Sequence, residues 1–322
     1  MTASRIIALV VADLHFVFAE PFDPQVVEKA RALGKVTILD RCDEESLRAA
    51  LADCDALLVR TRARVTGDVL RAGSRLRVIG RAGVGLENID IEAARERGIR
   101  VVYTPAAATD AVADLAVGMM IALVRRLPWY DSSIRQDRFD ELRDAVLPEL
   151  RDQVVGIVGM GRIGRAVARR CHLGFGMAVL YNDVVPVLGL GFPAKSTAKE
   201  DLYRQSDIVS LHVPLAASTE HLIDETALGQ FRPGAILINT ARGRVVDSAA
   251  LTQALREGRL GGAGLDVFDP EPLPPGHPLL SAPNTLLTPH IGARTARGSA
   301  NMNSVIDDVI RVLSGQQPLH AA

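Results

Sequence analysis

Val154-Val155-Gly156-Ile157-Val158 runs directly into Gly159-Met160-Gly161-Arg162-Ile163-Gly164, and a helical stretch, residues 165–172, follows. The first five residues read as a buried strand, the next six as a Gly-x-Gly-x-x-Gly turn, and the remainder as a helix. In that order the glycines have separate tasks. Gly159 permits a tight turn, Gly161 lets backbone approach a pyrophosphate, and Gly164 lets helix and strand pack closely. The helix start offers unpaired N–H groups and a positive dipole end to phosphates. Arg162 adds a cation there, and Ile163 completes the turn that would hold the phosphates.

A glycine triplet alone is weak evidence, and here it has a downstream partner. A second strand, residues 178–181, ends at Asn182-Asp183, and Asp183 stands 19 residues beyond Gly164. That is close to the ~20 expected for the carboxylate that holds an adenosine ribose. Asp183 would accept hydrogen bonds from both ribose hydroxyls and repel a 2′-phosphate. The following Val184-Val185 brings no arginine to receive one, so NAD is expected in preference to NADP.

Outward from this stretch, short apolar runs alternate with helical ones. Towards the N-terminus, strands are expected at 6–12, 36–40, 56–60, 77–80 and 100–104, with helices at 24–33, 44–51, 67–72 and 91–97. Beyond the fingerprint, further strands are expected at 208–212, 235–239, 263–267 and 285–287. Continuous apolar strands separated by helices imply parallel sheets covered on both faces. A long helix is expected over 110–126 and an amphipathic one over 295–313. The fold class is therefore α/β, with two doubly wound parallel-sheet domains. A Rossmann-type nucleotide domain, 106–293, is inserted into a flavodoxin-like substrate domain formed by 1–105 and 294–322. A cleft between them is the expected site.

Composition narrows the alternatives. The 37 Lys+Arg nearly balance 38 Asp+Glu, and aromatic residues are only 4%. Neither an overall basic surface nor aromatic stacking platforms for nucleic acid are expected. Cys42, Cys54 and Cys171 are odd in number and lack metal-site spacing, so neither a disulfide framework nor a metal site is expected. No run reaches the roughly 20 apolar residues of a membrane helix. A soluble cytoplasmic protein is the expectation.

Three apolar strands end in polar groups: Asn239-Thr240-Ala241-Arg242-Gly243, Asp266-Val267-Phe268-Asp269-Pro270-Glu271-Pro272, and Thr288-Pro289-His290-Ile291-Gly292. In a doubly wound sheet such ends line one crevice. Reduction of a 2-keto acid needs a group to bind the carboxylate, one to polarise the carbonyl and one to supply a proton. The planar fork of Arg242 suits the first two. His290, which titrates near neutrality, suits the third. Glu271 would hold the imidazole and favour its protonated form. Singly, each could be an ordinary ion-pair or packing residue; together, behind a dinucleotide fingerprint, they point to catalysis. His212, at the end of its strand, and Pro214 just after it stand where adenosine would lie, although packing is the commoner role for such a histidine.

These motifs, in this order, resemble those of the D-isomer-specific 2-hydroxyacid dehydrogenase family over nearly the whole chain. The carrying segments are the fingerprint, Thr240-Ala241-Arg242-Gly243-Arg244-Val245-Val246-Asp247, Gly264-Leu265-Asp266-Val267-Phe268 through Glu271-Pro272, and Thr288-Pro289-His290-Ile291-Gly292. The resemblance implies a catalytic set of Arg242, Glu271 and His290. It places Asp266 and the backbone of Thr240 and Ala241 at the nicotinamide amide, and Thr219 near the phosphates and ribose. Gly80-Arg81-Ala82-Gly83-Val84-Gly85-Leu86-Glu87-Asn88-Ile89-Asp90 is similar to the family's substrate loop. Gly83, Val84 and Gly85 would there expose N–H groups to a substrate carboxylate, as in an anion nest.

The substrate signals diverge. Leu58-Val59-Arg60-Thr61 resembles the phosphoglycerate dehydrogenase branch, in which an arginine at the place of Arg60 faces the substrate. Thr104-Pro105-Ala106-Ala107-Ala108 lacks that branch's asparagines, and Thr109-Asp110-Ala111-Val112-Ala113-Asp114 is closer to glyoxylate and hydroxypyruvate reductases. The chain is also expected to lack the C-terminal regulatory domains of some phosphoglycerate dehydrogenases. Formate dehydrogenases resemble the family but carry Gln where Glu271 stands. An NAD-sensing corepressor with incidental turnover is the rival from another class. A homodimer is expected from the family and from Trp129, Tyr130 and Phe139.

Overall fold

The computed structural model describes residues 14–139 and 145–322. It divides into two compact units. One takes the described residues up to Ala108 together with Thr295–Ala322, and the other is Thr109–Arg294.

In the first unit, β1 (Leu14–Phe18), β2 (Gly34–Ile38), β3 (Ala56–Val59), β4 (Val78–Arg81) and β5 (Arg100–Tyr103) form one sheet. It is wholly parallel, in the order β2-β1-β3-β4-β5, the flavodoxin-like arrangement. Helices α1 (Pro24–Arg31), α2 (Glu44–Leu51), α3 (Gly67–Ala72) and α4 (Ile91–Glu96) make the crossovers. Asp23, Asp43, Thr66 and Asp90 each cap a helix by accepting a backbone N–H, which fixes where each begins. The strand expected at 6–12 falls outside the described residues, and β1 lies just beyond it. Leu14 to Phe18 is buried throughout. His15 did not read as strand, yet its ring is satisfied between Asp53 Oδ1 (3.0 Å) and Thr37 Oγ1 (2.8 Å).

The second unit opens with α5 (Thr109–Val124) and α6 (Leu127–Ile134). Its sheet contains β6 (Val154–Val158), β7 (Ala178–Asn182), β8 (Lys195–Ser196), β9 (Ile208–Leu211), β10 (Ala235–Asn239), β11 (Leu260–Leu265) and β12 (Thr285–Leu287). All pairs are parallel and the order is β12-β11-β10-β9-β6-β7-β8. The winding reverses at β6, where one series leaves through β7 and the other through β9. That switch point is where an open α/β sheet leaves a crevice. Helix α7 (Arg162–Phe175) lies between β6 and β7, followed by α8 (Lys199–Gln205), α9 (Glu225–Leu228) and α10 (Ser248–Arg256). Met119, Met120, Ile157, Val167 and Ile238 fill the core on the side of α5 and α7.

The C-terminal helix expected over 295–313 is two helices, α11 (Ala296–Asn303) and α12 (Val305–Leu313). The break falls at Ser304, whose hydroxyl turns back to Asn301 O at 2.7 Å, a local bond that competes with helix continuation. Within the first unit α12 lies against β4 so closely that a Cβ on Gly80 would sit 2.6 Å from Val309 Cγ2. Among the described residues, no helix is long and apolar enough to cross a membrane.

Candidate active site

The fingerprint glycines differ in what surrounds them. Gly159 has φ +91°, and a Cβ there would meet His212 O at 2.8 Å. A Cβ on Gly164 would sit 2.0 Å from Gly159 O, whereas one on Gly161 would meet nothing within 4 Å. Turn, open approach and close packing are thus distributed in that order. Helix α7 starts at Gly161 without a side-chain cap, so its first N–H groups keep their capacity for an anion. Arg162 is exposed beside them and Ile163 is half-buried.

At the end of β7, Asp183 Oδ2 accepts from Met160 N at 2.6 Å and Oδ1 from Val185 N at 3.0 Å. The carboxylate therefore braces the fingerprint turn, and each oxygen retains a lone pair for a ribose hydroxyl. Burial drives His212 down to about 3, and its Nε2 lies 2.9 Å from Ser210 Oγ. It is a neutral ring at ordinary pH. Pro214 O accepts from Thr219 Oγ1 at 2.6 Å, and the same hydroxyl accepts from Ala216 N at 2.8 Å. Thr219 thus spends its donor on folding its own loop.

The loops that follow β10, β11 and β12 leave one edge in register, with Asn239 opposite Leu265 and Leu265 opposite Leu287. Asn239 shapes the first loop by accepting from Ala241 N (3.0 Å) and donating to Arg242 O (2.9 Å). Among the described residues, the Oγ1 of buried Thr240 has no hydrogen-bond partner. A Cβ on Gly243 would meet Phe268 O at 1.9 Å, so the first and second loops pack backbone to backbone. Asp266, 1% exposed, holds the third loop. Its carboxylate accepts from Thr288 Oγ1 at 2.6 Å, Ile291 N at 2.8 Å and Gly292 N at 2.8 Å. Those bonds flank His290, whose Nδ1 lies 2.7 Å from Glu271 Oε1.

Burial raises the Glu271 carboxyl, but several effects outweigh it. The hydrogen bond and charge of His290, the Phe268 N–H and the Arg242 charge together hold it below the usual glutamate value. Arg242, Glu271 and His290 therefore share one electrostatic neighbourhood. A carboxylate can only accept, so Nδ1 carries the proton of that bond and Nε2 is left for other chemistry.

The residues suit a nicotinamide dinucleotide: an open second glycine, an uncapped helix start, an acidic residue at the end of β7 and an orphaned hydroxyl at Thr240. A doubly wound sheet with this constellation at its switch point defines a dinucleotide-binding oxidoreductase. Residues 117–292 match the model of the D-isomer-specific 2-hydroxyacid dehydrogenase NAD-binding domain. A glyoxylate reductase of Thermofilum pendens is 41% identical over 85% of this chain and 83% of its own. A D-3-phosphoglycerate dehydrogenase of Methanocaldococcus jannaschii is 36% identical over 92% of this chain but 57% of its own. The solved D-lactate dehydrogenase of Aquifex aeolicus, complexed with NAD and lactic acid, superposes with TM-score 0.86. It is 29% identical, over 94% of this chain and 96% of its own.

The chain belongs to the D-isomer-specific 2-hydroxyacid dehydrogenase family. It is a 2-hydroxyacid dehydrogenase that uses a nicotinamide cofactor.

The first unit carries the residues expected to meet the substrate. Gly83 has φ +144°, and its N–H donates to Thr104 Oγ1 at 2.9 Å, which closes the loop onto Thr104. Val84 is exposed and Gly85 half-buried. Arg60 follows β3, with its guanidinium carbon 5.4 Å from the Phe22 ring centroid. Glu20, absent from the sequence reading, anchors this region. Its contacts lie about forty residues away in the chain, where no local pattern marks them.

Proposed function

We propose that the chain interconverts a small 2-keto acid and its D-2-hydroxy acid with NAD(H), using Arg242, Glu271 and His290 as its catalytic set. The nicotinamide supplies or accepts the hydride at C2. Arg242 binds the carboxylate and polarises the carbonyl, its fork suiting two oxygens. His290 donates a proton from Nε2 to the nascent hydroxyl oxygen, or removes it in the oxidation direction. Glu271 keeps the imidazole oriented through Nδ1. The observation that carries this reading is the 2.7 Å His290–Glu271 pair within the electrostatic reach of Arg242.

The cofactor set is Gly159, Gly161, Arg162, Ile163, Gly164 and Asp183, with His212, Pro214 and Thr219 shaping the adenosine side. Thr240, Ala241 and Asp266 serve the nicotinamide side. Arg60, Gly83, Val84 and Gly85 are assigned to the substrate. Candidate substrates are glyoxylate and hydroxypyruvate, supported by the glyoxylate reductase likeness, or 3-phosphoglycerate, supported by Arg60. A homodimer is supported by the exposure of Leu127, Trp129 and Ile134 on α6, and a reducing cytoplasm by three free cysteines. The test is turnover of a panel containing glyoxylate, hydroxypyruvate, pyruvate and 3-phosphohydroxypyruvate with NADH. Absence of turnover on all four would leave NAD sensing as the better reading.

A further inference from the structure

Glu20 lies two residues beyond β1 and is 3% exposed. A buried carboxylate is costly unless its oxygens are satisfied, and here one oxygen gathers a whole turn. Oε1 accepts from Arg60 N at 2.9 Å, Arg62 N at 3.0 Å and Ala63 N at 3.1 Å. Oε2 is 3.5 Å from Arg62 Nε. The carbonyls of the same turn are tied as well, because Asn88 Nδ2 donates to Arg60 O at 3.1 Å and Ala63 O at 2.7 Å. Glu20 and Asn88 therefore clamp residues 60–63 from both sides of the peptide chain.

The Glu20 segment also reaches the side chain of Arg60. Pro21 has a restricted φ, and Phe22 follows it with its ring against the Arg60 guanidinium. That ring is itself set edge-on to buried Phe18, with centroids 5.2 Å apart. A single segment, Glu20-Pro21-Phe22, thus holds the backbone of Arg60 through a carboxylate and its cation through a ring face. A guanidinium supported in this way is placed before a ligand arrives, which lowers the ordering cost of binding.

We propose that Glu20 is a positioning residue for substrate choice: by fixing the Arg60 turn it favours 2-keto acids that carry a second anionic group. This rests on Arg60 being a substrate-facing cation, as assigned above. Glu20 touches no substrate in this scheme and acts through Arg60 alone.

The experiment is steady-state kinetics with NADH on 3-phosphohydroxypyruvate and glyoxylate for the wild type, Glu20→Ala, Glu20→Gln, Phe22→Leu, Arg60→Ala and the double variant Glu20→Ala/Arg60→Ala. Glu20→Ala should raise KM for the phosphorylated acid roughly tenfold more than KM for glyoxylate, with the loss appearing in KM instead of kcat. Glu20→Gln keeps an acceptor at Oε1 and should recover most of that ratio. Phe22→Leu, which leaves the carboxylate in place, should lower selectivity in the same direction. Because both act through one guanidinium, adding Glu20→Ala to Arg60→Ala should change the ratio by less than about twofold. If Arg60→Ala is selective while Glu20→Ala and Phe22→Leu are not, the positioning role is overturned and the Arg60 assignment stands. If Arg60→Ala raises both KM values equally, the Arg60 assignment falls and the positioning role falls with it.

Discussion

The imidazole of His290 and the carboxylate of Glu271 are joined at 2.7 Å through Nδ1 and Oε1, although both side chains remain partly open to solvent. Their coupling is reciprocal. The hydrogen bond and charge of His290 help hold Glu271 ionised, and Glu271 in turn fixes the proton of that bond on Nδ1. Glu271→Gln keeps the shape and removes the charge. His290 Nδ1 would then face a neutral amide instead of a carboxylate, so the pH profile of kcat/KM should change in both directions. Measurement in both directions, with a deuterated nicotinamide to confirm that chemistry limits the rate, checks this. An unshifted profile removes Glu271 from the role. His290→Ala should lower kcat by ~10²–10⁴, the usual cost of losing a positioned acid/base, while NADH binding persists.

Asp183 sets the expectation for cofactor choice. Its carboxylate stands at the end of β7, followed by exposed Val184 and Val185, neither of which can pair with a 2′-phosphate. Wild-type kcat/KM should favour NADH over NADPH. Asp183→Ser should lower the NADH value and narrow the gap, since both the ribose acceptor and the repelling charge are gone. Equal wild-type efficiency with the two cofactors would overturn the assignment.

Two glycines in the same turn should fail in opposite ways. Gly164→Ala places a Cβ 2.0 Å from Gly159 O, and backbone cannot yield cheaply. Overpacking of this kind costs about 1–3 kcal/mol, so its melting temperature should fall. Gly161→Ala meets no protein atom within 4 Å, so it should melt like the wild type yet bind NADH more weakly. Calorimetry paired with NADH titration separates the two. A Gly161→Ala protein with unchanged affinity would show that the cofactor does not approach there.

Much of this was readable because the signals are local. The strand-turn-helix around Gly159 spans about twenty residues, and β10, β11 and β12 each end a few residues before Arg242, Glu271 and His290. Helices such as Glu44–Leu51 start at an aspartate or threonine whose capping role is written in the sequence. Relations between distant segments were not readable. The Gly83 N–H donates to Thr104, twenty-one residues away in the chain, a pairing no local pattern marks. The Glu20 clamp joins positions separated by 40 to 43 residues, and neither partner has an unusual neighbourhood in the sequence. Ser304 breaks an amphipathic pattern that continues on either side of it, because a hydroxyl can interrupt a helix without changing its hydrophobic period.

His290 has a backbone φ of +53°, a left-handed conformation uncommon outside glycine, although asparagine, aspartate and histidine enter it more readily than most residues. The three bonds from Asp266 hold the surrounding loop in that shape. Glycine at this one position would relax the backbone, but the imidazole proposed to move the proton would go with the side chain.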